Sequence, residues 1–247
     1  MNLIATNAIY IRARGLFFIY ILALAGCTLP RPANTPVVYD FGPGALRTPP
    51  TTRMAPLPPL EFSTPQTSLA LNSTAVLYRL GYADAQQLKP YTLARWSMPP
   101  AQLIGQRLRS QLGLRRAIVS PGDITVARPP RANAAAPATP TTATTATTAT
   151  LTAHPPFILN LHLALEEFSQ LFETPDKSSG VLRLRATLTQ RGTAGETLLA
   201  QRSFIVQQVA PTADASGGVR ALTAATDQAI QEIEVWLAQV APAGKGP

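Results

Sequence analysis

The chain has 247 residues, with 21 Lys and Arg against 13 Asp and Glu, two histidines and one cysteine. That length holds one ordinary domain with a real core plus flanks, while a single cysteine excludes any intramolecular disulfide framework. The net charge of +8 is scattered, with no Lys/Arg-rich run and no basic helix interleaved with aromatics, which argues against nucleic acid as a ligand.

The first 27 residues follow the layout of a secretory signal. Arg12 and Arg14 precede an apolar run from Leu16 to Leu24, nine residues long, and a permanent span needs about 20. Directly after it, Leu24, Ala25, Gly26 and Cys27 place small residues before a cysteine, a pattern that resembles the lipobox read by the lipoprotein signal peptidase. The expected chemistry is cleavage before Cys27, a diacylglyceryl group on its thiol, and a further acyl chain (palmitate, for example) on the new amino terminus. One chain anchors only marginally and two or more anchor stably, at about 0.8 kcal/mol per buried methylene. The rival readings of Cys27 are a free buried thiol and a bond to another chain.

The resulting plan is a signal peptide over 1–26, a lipidated cysteine and tether over 27–36, a folded domain over 37–240 and a tail over 241–247. Residues 1–26 carry two arginines and no acid, so 19 basic and 13 acidic residues remain and the mature chain stays basic. Such a field favours anionic head groups, an acidic partner or peptidoglycan. Pro30, Pro32 and Pro36 favour an extended tether. Val37 to Phe41 reads as a first strand, stopped by Gly42, Pro43 and Gly44. After a proline-rich stretch from Pro49 to Pro59, Leu60 to Phe62, Ala75 to Leu80 and Tyr91 to Trp96 read as further short strands.

A helix follows, with Ser97 as its cap, Pro99 and Pro100 in its first turn and Gly113 at its end. Leu103, Ile104, Leu108 and Leu112 share one face, and Arg107 and Arg109 beside them are expected to be solvated. Ile118 to Val126 reads as a strand pair or extended connection. From about residue 129 to 153 the composition collapses toward Ala and Thr, with Leu151 the one large apolar side chain, so a disordered insertion is expected.

Phe157, Leu159, Leu161, Leu163 and Leu165 alternate with mostly wettable residues, as do Leu182, Leu184, Ala186 and Leu188. With Thr197 to Val209 they predict an antiparallel meander turning at Gly192 to Gly195. The last element, Ser216 to Val240, carries Val219, Leu222, Thr226, Ala229, Ile230, Ile233, Leu237 and Val240 at helical spacing, with Trp236 sealing its end against the sheet. The predicted class is α+β: a mixed, largely antiparallel sheet of six or seven strands with two main helices on its apolar face.

Catalytic chemistry is not visible. His154 lies beside Pro155 in a loop, and His162 and Glu166, four apart on one strand face, stand about 13 Å from each other, too far for direct proton transfer. There is no metal-ligand spacing, Gly-rich phosphate cradle or nucleophile elbow, so no catalytic residue, cofactor or metal is assigned. Tyr78, Arg79, Arg95 and Trp96 combine aromatics with arginines, types enriched at interface cores, and form the candidate partner interface. The alternative is that they are framework.

In order along the chain come the lipobox, Tyr39-Asp40-Phe41-Gly42-Pro43, Val76-Leu77-Tyr78-Arg79, Tyr91 before Arg95-Trp96, Pro99-Pro100 at a helix start, Glu167-Phe168 and Trp236-Leu237. This ordered set resembles the ABC-type transport auxiliary lipoproteins, a family that includes the lipoprotein of the paraquat-inducible Pqi system. The resemblance covers most of residues 24 to 240, with the Ala/Thr and proline-rich stretches departing from it. It implies an envelope lipoprotein, non-enzymatic, acting as accessory or adaptor of an ABC transporter with a mammalian-cell-entry (MCE) type substrate-binding protein, moving lipid between membranes. A homo-oligomeric collar is one form it would take. Thr28, in place of the aspartate that retains lipoproteins in the inner membrane of enteric bacteria, points to the outer membrane, facing the periplasm. The alternative class is a structural or assembly lipoprotein binding peptidoglycan or an outer-membrane protein.

Overall fold

The leucine alternation of residues 158 to 165 opens the longest strand of the sheet, and the rest of the domain is arranged on it. The computed structural model describes residues 35–43, 57–121, 158–192 and 195–241. The lipobox, the Ala/Thr-rich stretch and the tail beyond Ala241 lie outside the described residues. The elements are β1 (Val37–Tyr39), β2 (Leu57–Phe62), β3 (Gln66–Thr67), β4 (Ala75–Leu80), β5 (Asp84–Trp96), α1 (Pro100–Leu112), β6 (Arg116–Val119), β7 (Ile158–Thr174), β8 (Lys177–Gly192), β9 (Gly195–Val209) and α2 (Ala215–Val240).

They form an α+β fold with one mixed sheet of nine strands, two or three more than the alternation predicts. β3 is only two residues long, too short to show alternation, and β2, expected over Leu60 to Phe62, begins at Leu57, where Pro58 and Pro59 hide its strand character. On one side of β7, β2, β3 and β4 pair in succession and parallel to it, opposite Leu159–Leu161, Ala164–Leu165 and Gln170–Phe172. On its other side runs the antiparallel meander β7–β8–β9, as the alternation predicts. β5 pairs antiparallel with β4 and starts seven residues earlier than its apolar part, because Asp84 to Pro90 form a hairpin return with a polar sequence. The expected strand at Ile118 to Val126 runs instead from Arg116 to Val119, and residues from 122 lie outside the described set.

A bulge governs β7. Leu165 pairs with Leu184 and Glu167 with Arg183, so Glu166 is the extra residue. Without it, strict alternation would turn Phe168 to the face opposite Leu165. With it, Leu159, Leu161, Leu163 and Leu165 and then Phe168 and Phe172 are all buried.

Both helices cover this face. Leu182, Leu184, Ala186 and Leu188 of β8 meet Leu222, Ala225, Ala229, Ile230, Ile233 and Leu237 of α2 in one cluster of buried side chains. A fully buried Leu or Ile contributes about 1.5–3 kcal/mol. Asp214 caps α2, its carboxylate accepting from the Gly217 amide at 2.6 Å, and that bond holds its pKa below the ordinary value. Trp236 is buried and lies edge-on to Phe204 of β9, with centroids 5.8 Å apart, where it seals the helix end. Ser97 does not cap α1. The helix starts after Pro99 without a side-chain cap, and the Ser97 amide donates instead to the Tyr39 carbonyl at 2.7 Å.

Gly180 lets α2 sit this close to the sheet. A Cβ there would stand 2.7 Å from the Leu222 nitrogen and 2.8 Å from the Ala221 carbonyl carbon, both backbone atoms that cannot swing aside. Gly180→Ala is therefore expected to destabilise the domain by about 1–3 kcal/mol, the usual range for overpacking. Urea unfolding checks this, and an unchanged midpoint would show that the helix does not bear on this strand as described.

Candidate functional site

Of the four residues proposed for a partner interface, Trp96 is buried, Tyr78 and Arg79 are half-buried and bound to other residues that carry the family resemblance, and Arg95 is exposed. Trp96 is 2% exposed, so its placement on an interface is corrected: it belongs to the core. Its ring meets Phe41 edge-on and Phe168 at a tilt, each with centroids 5.6 Å apart, so three aromatics distant in sequence converge. Tyr78 is half-buried, its ring 4.6 Å from Tyr91 and 6.0 Å from Phe172. Arg79 makes a two-pronged contact with Glu167 at 3.1 and 3.4 Å, and its remaining nitrogen donates to the carbonyls of Ala85 and Gln86. It staples the β4–β5 turn to β7. Only Arg95 of the four is exposed.

Beneath the start of α2 lies a polar knot that hydropathy patterns do not reveal. Gln170 is fully buried on the helix side of β7, where its carbonyl accepts from the Tyr91 hydroxyl at 2.9 Å and its amide donates to the Ser178 hydroxyl at 2.7 Å. Burial pushes the Tyr91 phenol well above its ordinary pKa, with the nearby Tyr78 and Asp214 adding to the shift. It therefore stays a neutral donor across the physiological range.

A second polar group lies on the opposite face, toward the other end of the sheet. Glu61, Asn160 and Thr189 are in register on adjacent strands and all buried. Arg191 holds one oxygen of Glu61 at 3.0 Å, and the other has no hydrogen-bond partner. Glu196 accepts from Thr189, from Asn160 at 3.2 Å, and lies 3.3 Å from His162 Nε2. The Thr189 hydroxyl and then His162 hold the Glu196 carboxyl below its ordinary pKa. Glu166 instead pairs with Arg185 at 3.2 Å, so His162 and Glu166 serve separate partners. Among the described residues, no three His, Cys, Asp or Glu converge on a metal-sized space.

The concave surface lies at the helices. A cleft of about 370 Å³ opens between the Asp40–Pro43 turn and α1, lined by Ser97, Gln106, Ser110 and Gln111 among others, and one of about 330 Å³ lies between the same turn and α2. Gly42 makes that turn, with φ of 66°, and the Asp40 carboxylate accepts from its amide at 2.7 Å. Arg107 lines the first cleft and Asp227 the second, and they join as a bidentate pair at 2.7 and 2.9 Å. The arginines beside the α1 stripe are thus not free in solvent: Arg107 links the two helices, and Arg109 donates to the Phe62 carbonyl and covers its ring. Among the described residues the cleft linings hold hydroxyls, side-chain amides, Arg107, Arg220 and the carboxylates of Asp40 and Asp227.

No protein-family model matches the sequence, and no curated protein matches it either. Solved structures do resemble it. A crystal structure of a Xanthomonas campestris protein assigned to the family DUF330 superposes with a TM-score of 0.53 at 14% identity, covering 85% of this chain and 90% of that one. A second, titled only as an uncharacterized protein, superposes with a TM-score of 0.50, also at 14% identity, covering 82% and 99%. At that identity the likeness is one of fold.

Within this fold the Arg107–Asp227 pair is the strongest polar link between the two helices. A double-mutant cycle on Arg107→Ala and Asp227→Ala is expected to give a coupling of about 0.5–3 kcal/mol in unfolding experiments. Additive losses would mean that the pair does not join them.

Proposed function

We propose that this protein is an outer-membrane lipoprotein, anchored through Cys27 and facing the periplasm, that serves as a non-enzymatic accessory or adaptor of an ABC transporter. Its partner is an MCE-type substrate-binding protein, and its cargo is lipid moving between membranes. One observation carries this reading. The residues that form the ordered family resemblance meet one another in space: Phe41 with Trp96 and Phe168, Arg79 with Glu167, Tyr78 with Tyr91. A chance collection of short motifs has no reason to be mutually in contact. The fold shared with the DUF330 protein of Xanthomonas campestris adds support at the level of architecture. ATP hydrolysis belongs to a partner, because the chain has no phosphate cradle.

The test is photo-crosslinking in the native host from exposed positions of the domain, followed by identification of what is captured. The proposal expects an MCE-type protein. Capture of peptidoglycan fragments or of an outer-membrane barrel alone would replace it with the structural or assembly reading.

A further inference from the structure

We propose that the outer face of the β1–β5 edge is a membrane-contacting surface that rests on anionic phospholipid. This inference rests on the lipid anchor at Cys27. Among the described residues β1 is the terminal strand of its side of the sheet and pairs with β5 alone, parallel, with Val38 beside Arg95. In β5, Ala94 and Trp96 point into the core at 3% and 2% exposure, so Leu93 and Arg95 point out. Val38 is 64% exposed, Leu93 is 45% exposed, and Val37 at the edge is 54% exposed. Val38 and Leu93 thus flank an arginine on one outward face, while Val37, in register with Ala94, belongs to the other face of the edge strand.

The chemistry of that arginine selects the occupant. Arg79, Arg107, Arg115, Arg185 and Arg191 each have a carboxylate partner. Arg95 has none among the described residues, and the nearest acidic residue along β1, Asp40, turns its carboxylate back to its own Gly42 amide. An exposed cation set among apolar groups matches an anionic head-group layer, where the guanidinium meets phosphate and Val38 and Leu93 reach the acyl boundary.

Chain length supplies the other half of the argument. Val37 is ten Cα-to-Cα steps beyond Cys27, with nine residues between them, and a fully extended chain of that length spans at most about 36 Å. The patch is the described part of the domain nearest in sequence to the anchor. A contact too weak to hold a free protein becomes populated when a short covalent link fixes the local concentration of membrane.

The test uses the lipidated full chain in vesicles of phosphatidylethanolamine and phosphatidylglycerol. Its only native thiol is occupied by lipid, so Val38→Cys takes an environment-sensitive dye alone, with Leu93→Cys as a second reporter should the first disturb folding. Ser203→Cys, exposed on β9, is the control. The dye at position 38 is expected to shift blue and to be shielded from an aqueous quencher several-fold more than at 203. That difference should vanish in neutral vesicles, in Arg95→Glu, and in about 1 M salt, where screening acts within about 3 Å. Equal shielding at both positions in protein that floats with the vesicles overturns this inference and leaves the anchor standing. Protein that fails to float overturns both. Shielding that appears only when another protein is added assigns the surface to that protein and overturns the lipid contact.

Discussion

The domain depends on the continuous pairing of β7, which runs for 17 residues and hydrogen-bonds with four other strands. Three short parallel strands borrow their order from it on one side, and β8 matches it along its length on the other. The bulge at Glu166 lets one strand keep its buried side toward the helices from Leu159 to Phe172. It also sends neighbouring carboxylates in different directions. Glu166 goes to Arg185 on β8, while Glu167 goes to Arg79 on β4. The irregularity therefore ties together the two strands that flank β7.

The residues that resemble the lipoprotein family acquire their meaning from this arrangement. Phe41 follows β1, Trp96 ends β5 and Phe168 follows the bulge, and the three rings pack as one cluster. A pattern spread over most of the chain is thus one packing solution. With these aromatics committed inward, Leu93 and Arg95 stand exposed on the outward face of β5. The same segment that completes the core on one side presents a mixed apolar and basic surface on the other, a short distance along the chain from the proposed anchor.

Periodicity made the meander and the last helix legible, because Leu182–Leu188 and Val219–Leu237 each bury one face against the other. It failed where pairing is dictated from elsewhere. β2, expected over Leu60 to Phe62, runs back through Pro58 and Pro59 to Leu57, which pairs with Arg116 of β6. The first half of β5 is polar and follows β4 through their hairpin. Ser97 looked like a cap because Ser favours such sites, yet its backbone was needed by Tyr39. The interface reading of Trp96 failed for a related reason: amphipathic aromatics suit both cores and contacts, and composition does not distinguish them. Gln170 gave no signal through hydropathy; the hint was Gly180, a glycine inside a strand that marks close approach of the helix.

The claim that one strand organises the domain makes a direct demand on local stability. Native-state hydrogen exchange on β7 resolves it, because each half of the strand is paired with different neighbours on one side. If β7 is the common spine, its buried amides from Leu159 to Phe172 exchange together, at a protection energy equal to that of global unfolding. If the amides before Glu166 open at a markedly lower energy than those after it, the bulge separates two independent sheets and the account is wrong.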